Sequence, residues 1–173
     1  RSYKSTEINS IFRIKIKCLF ENIRQTIPLD IATGDPVTPQ LIEYQYITLY
    51  ENEKISILSY NLETILAEKM HTIYIRNIIN SRNKDYYDIY IIMKLKKDEI
   101  NYDHLKGAFE NTFKYRKTEL NINEIKNTLE KVLENKIMRE RWKKYCEDNS
   151  FANNIEFNDV ISSCFKLIRF LEK

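Results

Sequence analysis

The hydrophobic pattern of this chain changes period once, at Asn61, and that change leaves few architectures open. From Ile11 the residues alternate, with Ile14, Ile16, Cys18 and Phe20 on one face and Arg13, Lys15 and Lys17 on the other. This is the two-residue repeat of a half-buried strand. The alternation resumes after Glu21 and Asn22, with Ile23, Ile27, Leu29 and Ile31 inward and Arg24, Thr26, Pro28 and Asp30 outward. A two-residue turn at Glu21 and Asn22 sets Asp30 opposite Arg13 on the polar face. Pro28 cannot donate a ladder hydrogen bond, so its strand is expected to lie at an edge. A second hairpin is expected from residues 44–50 and 54–60, joined through Glu51 to Lys54.

Beyond Asn61, an N-cap residue, Leu62, Ile65, Leu66, Met70 and Ile73 recur at helical spacing, and the pattern runs to about Asn80. After a short break, residues 85–97 form a second helix, with Asp85 favourable at its N-terminus and lysines at its C-terminus. Further helices are expected at residues 102–115, 123–148 (as one run or two) and 158–172. Trp142 and the stripe Phe157, Val160, Ile161, Phe165 and Ile168 are expected in the core. The fold class is therefore α+β, with hairpins over residues 1–60 and a helical part over residues 61–173.

Composition narrows the function classes. The formal net charge is +3, too small for electrostatics alone to argue for nucleic acid. Cys18, Cys146 and Cys164 lie far apart with no CxxC, and only His71 and His104 could join them, which argues against zinc. An odd cysteine count and no cationic-then-apolar leader point to a reducing, cytoplasmic setting. No apolar run approaches membrane-spanning length, so no membrane partner is expected.

The chemistry-bearing residues cluster around the first two helical segments and the break between them. Lys69 and Arg76 are two helical turns apart and share a face, with Thr72 between them. Arg82, Lys84, Asp85 and Asp88 follow, the last two again on one face. Such a cationic helix face beside a turn rich in Arg, Lys and Asp suits a phosphate chain. The plainer alternatives are a solvated face with surface ion pairs, a cross-strand pair between Asp30 and Arg13, and a turn role for Asp35. Tyr86, Tyr87 and Tyr90 fit core and rim, and His71 fits a structural role.

Taken in order, "IPLDIATGDPVTP", "YNLETILAEKMHTIYIR" and "NSRNKDYYDIY" resemble the AbiEii-type nucleotidyltransferase toxins, the enzyme halves of the AbiE abortive-infection toxin–antitoxin systems of phage defence. The resemblance runs from about Phe12 to about Met93. It implies a nucleotidyltransferase-like sheet and Mg²⁺-dependent transfer of a nucleotide from an NTP to an acceptor hydroxyl, on RNA such as tRNA, by in-line attack on the α-phosphate. By the same resemblance Asp30 matches the downstream strand carboxylate that binds metal. Lys69 matches the helix lysine that contacts phosphate. Asp85 matches the acidic residue of an Arg-Asp motif, here with Lys84 where arginine is usual. Arg76 and Asp88 match lesser positions, and Arg82 and Lys84 extend the phosphate-binding set.

The family also carries a Gly-rich turn and an Asp-x-Asp strand, which supply most of the metal site. Neither occurs here: the glycines are Gly34 and Gly107. The homologous stretch would precede Arg1, so the chain by itself is expected to hold no cofactor tightly and to be inactive. An unpaired sheet edge or apolar face left by that missing stretch is expected to favour a homodimer. The competing reading is a non-catalytic module whose basic face holds RNA or a cognate antitoxin.

Overall fold

The computed structural model describes residues 11–32 and 34–172. The chain divides after Pro36 into two compact units.

The first unit holds an antiparallel hairpin of β1 (Ile11–Phe20) and β2 (Ile23–Ala32). Glu21 takes φ 50°, the positive value that a two-residue hairpin loop needs at its first central position. The resulting register pairs Ile16 with Ile27 and Arg13 with Asp30, as the alternation predicts. The apolar face is not half-buried, however: Ile14 is 47% exposed, and Phe20 and Ile27 are exposed as well. A hairpin of two strands has no second layer of its own to cover it. Gly34, at φ 89°, takes a backbone conformation that a side chain would strain.

The second unit begins with β3 (Ile42–Ile47) and β4 (Lys54–Ser59), a separate two-stranded sheet closed by the Thr48 N–H donating to the Glu53 carbonyl at 2.9 Å. Six helices follow: α1 (Leu62–Arg76), α2 (Asn83–Leu95), α3 (Tyr102–Tyr115), α4 (Ile122–Glu134), α5 (Lys136–Asp148) and α6 (Phe157–Phe170). Two hairpins before six helices make the α+β layout that the change of period predicts.

The helix ends have local causes. The Asn61 side chain accepts from the Thr64 N–H at 2.8 Å, as an N-cap does. Its amide also donates to the Thr38 and Gln40 carbonyls, which seats the loop before β3 on the start of α1. Asn101, Asn121 and Asn135 cap α3, α4 and α5 in the same way. The cap at Asn135 is what divides residues 123–148 into two helices. α1 stops short of Asn80 because Asn77 swings to φ 49°, outside the helical region.

The core lies among the helices. α1 contributes Leu66, Ala67, Met70 and Ile73; α3 contributes Leu105, Phe109 and Phe113; α6 contributes Val160, Ile161, Leu167 and Ile168. Trp142 is buried, with its indole N–H donating to the Ile155 carbonyl at 2.9 Å. Phe165, expected in the core stripe, is only half-buried at its edge. All three cysteines are free thiols, and burial pushes the Cys164 thiol up to about 12. Among the described residues no helix is long and apolar enough to cross a membrane.

His71 packs its ring edge-on against Phe113, with centroids 4.8 Å apart, and its Nε2 lies 3.1 Å from the Thr118 hydroxyl. Burial, assisted by the positive charge of Arg116, lowers its pKa below the usual 6.5. A depressed histidine favours folding fully above its unfolded pKa, and that contribution is lost as pH falls through the folded value. The Tm of the wild type is therefore expected to fall more between about pH 7.5 and pH 5.5 than that of His71→Gln. Equal falls in the two proteins would remove His71 as the cause.

Candidate functional site

The half-buried side of α1 places Ile65, Glu68, Lys69 and Thr72 in one row at spacings of three and four, away from the row that enters the core. α2 faces this row with Asp85, Asp88, Ile91 and Ile92, and together they line a cavity of about 470 Å³ with Arg82 and Lys84 at its edge. That volume lies in the range of small-molecule sites.

The turn into α2 is fixed from both sides. The Asn80 side chain, fully buried, accepts from the Arg82 N–H at 3.0 Å. Arg141 of α5 donates to the carbonyls of Ile78 and Asn80, and the Asn83 amide donates to the Arg141 carbonyl. The backbone at Arg82 and the first turn of α2 are thereby tied to Asn80 and to α5.

Within the cavity the charges form one connected network. The Lys69 ammonium lies 2.5 Å from Asp88 Oδ2 and 3.4 Å from Asp85 Oδ1. Arg82 Nε donates to Asp85 Oδ2 at 2.9 Å, and Lys84 Nζ to Asp88 Oδ2 at 3.1 Å. Burial separates this network from ordinary surface pairs: the Asp85 side chain is 3% exposed and that of Lys69 is 19% exposed. A carboxylate so enclosed is costly to leave without a charged partner.

Of the residues singled out from sequence, Lys69, Arg82, Lys84, Asp85 and Asp88 meet here. Arg76 does not line the cavity. It shares the face of Lys69 but lies seven residues on, about 10 Å along the axis. Sequence reasoning missed Glu68 and the apolar wall of Ile65, Ile91 and Ile92. Ile65 and Glu68 sit at the same helical spacing as Lys69 and Thr72, and that spacing was the signal available.

Asp30 belongs to the hairpin unit. Both its oxygens accept from the Arg13 guanidinium, at 2.6 and 2.8 Å, which holds its carboxyl below the usual carboxylate range. A divalent cation takes several oxygen ligands. Among the described residues no group of three or more His, Cys, Asp or Glu side chains is placed to hold a metal. The described residues do not, by themselves, fit a divalent-metal centre. The Asp30 side chain is 52% exposed, so its pair with Arg13 is screened by solvent. Asp30→Asn is accordingly expected to leave the unfolding midpoint of the chain nearly unchanged. A drop of many degrees would show that the hairpin carries stability its exposure does not suggest.

A family model described as nucleotidyl transferase AbiEii toxin, type IV TA system, matches residues 3–162. No curated protein and no solved structure matches the chain.

Proposed function

The chain belongs to the AbiEii nucleotidyl transferase toxin family of type IV toxin–antitoxin systems, and from that membership we propose that the cavity between α1 and α2 holds the phosphates of an NTP while its nucleotide passes to an acceptor hydroxyl on RNA such as tRNA. In such a transfer the acceptor hydroxyl gives up its proton to solvent and its oxygen bonds to the α-phosphorus as the bond to the α–β bridging oxygen breaks, and pyrophosphate leaves. Negative charge on the phosphoryl oxygens is what the protein has to meet.

One observation carries the reading: the Lys69 ammonium is held at the cavity wall by two carboxylates on the facing helix. A donor fixed in advance stabilises developing charge without reorganising when the reaction occurs. Asp85, nearly buried and shared between Lys69 and Arg82, is a positioning residue. Arg82 and Lys84, more exposed, can turn from their carboxylates to the phosphate chain.

The competing module, a basic face that binds RNA, is less well supported at this place. Lys69, Arg82 and Lys84 each have a carboxylate partner there, so the face is close to neutral. A cognate antitoxin is the partner implied by the family description.

The test is incubation of the full-length protein with Mg²⁺, α-labelled NTPs and RNA. RNA is expected to become labelled, and Lys69→Ala is expected to remove most of the label. Labelling that is absent throughout, or that is unchanged in Lys69→Ala, would sink the reading.

A further inference from the structure

We propose that a groove along α6, remote in sequence from Lys69 and Asp85, binds the phosphate backbone of single-stranded RNA. Two cavities, of about 410 and 330 Å³, share Lys166 and Arg169 as lining residues. The first is completed on one side by Lys97 and Phe170, the second by Phe165 and the polar side chains of Asn158 and Ser162. No carboxylate lines either cavity. Lys166 and Arg169 are exposed and make no ion pair with a described residue. This is the opposite of the cavity between α1 and α2, where the cations are matched by carboxylates.

The helix sets the spacing. Asn158, Ser162, Phe165 and Arg169 recur at four, three and four residues and so form one ridge of α6, with Lys166 beside it. The ridge is about 16 Å long, enough to follow several phosphates of one strand. A further cation adjoins its far end, where Arg139 donates to Asn158 Oδ1 at 2.9 Å. The Lys97 ammonium sits 5.7 Å from the centre of the Phe170 ring, which keeps that cation over the groove without neutralising it.

The aromatic residues select the occupant. An acidic polypeptide would need only the cations. A ribose-phosphate strand also presents bases, and Phe165, half-buried and lining the second cavity beside Ser162 and Arg169, supplies an aromatic group against which one can pack. Lys166, Arg169 and Phe170 lie beyond residue 162, where the family match ends. The inference does not depend on the transfer chemistry.

The experiment is fluorescence anisotropy of the chain with a labelled single-stranded 12-nucleotide RNA at two or more salt concentrations. Lys166→Ala/Arg169→Ala is expected to bind at least about tenfold more weakly, because two phosphate contacts are lost. The slope of log K against log salt should become shallower by about 1.4, from roughly 0.7 per phosphate contact on a single strand. Both side chains are exposed, so circular dichroism of the double variant should match the wild type. Lys143→Ala/Lys144→Ala, an equal loss of charge from exposed positions on α5, should keep wild-type affinity. Unchanged binding by the α6 variant overturns the proposal, as does an equal loss in this control. Displacement of the RNA by poly-glutamate at matched charge concentration also overturns it, in favour of an acidic polypeptide.

Discussion

Replacing Lys69 with alanine is expected to lower nucleotide transfer by about 10²–10³-fold, the usual cost of removing one fixed donor to a charged transition state. The substitution should spare the fold. Asp85 keeps Arg82 as a partner and Asp88 keeps Lys84, so neither carboxylate is left bare. Lys69 is also only partly buried, and its loss opens no sealed cavity in the core. If the ammonium acts on charge that develops during transfer, kcat should fall; if it only holds the ground-state phosphates, KM should rise with kcat unchanged. Asp85→Asn keeps the shape but weakens the hold on Lys69, and a smaller loss, on the order of tenfold, is expected. The double variant should be no worse than Lys69→Ala alone, because Asp85 acts through Lys69. Additive losses would mean that Asp85 has a role of its own, and full activity in Lys69→Ala would remove the cavity from the reaction.

The local signals in the sequence translated well into local structure. A period of two gave hairpins, a period near 3.6 gave helices, and the pairing of Arg13 with Asp30 followed from a two-residue turn. Asn61 was legible as a cap because its side chain acts within its own helix start. What failed was set by distance or by the absence of strong punctuation. The ends of α1 and α4 carry asparagine, not glycine or proline, so neither the stop at Asn77 nor the break at Asn135 stood out. Helical spacing grouped Lys69 with Arg76 and Asp85 with Asp88, but the meeting of Lys69 with the two aspartates, the enclosure of Asp85 and the wall of Ile91 and Ile92 depend on how α1 and α2 pack. Arg76 fitted the same face and still missed the cavity, since a shared face says nothing about position along the axis. Phe165 fitted an apolar stripe that is wider than the core it feeds. The inward face of β1 and β2 is apolar, as the alternation predicts, whereas its burial depends on a covering layer that alternation cannot specify.

Phe113→Ala is expected to destabilise the helical unit by about 3–5 kcal/mol, lowering its Tm by on the order of 10 °C or more. Phe113 is 1% exposed, with its ring stacked near Phe109 and Tyr74 at centroid distances of 6.1 and 5.9 Å and met edge-on by His71. It therefore joins α3 to α1, the helix that carries Lys69 on its other side. Truncation removes these contacts and leaves a void that the surrounding rings can only partly close. Phe113→Leu, which keeps more of the volume, should cost much less. A second consequence separates this account from general core damage. Burial is the main cause of the lowered His71 pKa, and part of that burial is the Phe113 ring. Admitting water beside the imidazole lets the folded state take up its proton more readily, so the acid-side loss of stability should be shallower in Phe113→Ala than in the wild type. A fall in Tm with wild-type steepness below about pH 6.5 would show that the ring supports the core without desolvating His71. A fall of only a degree or two would show that α1 and α3 are held together by other contacts.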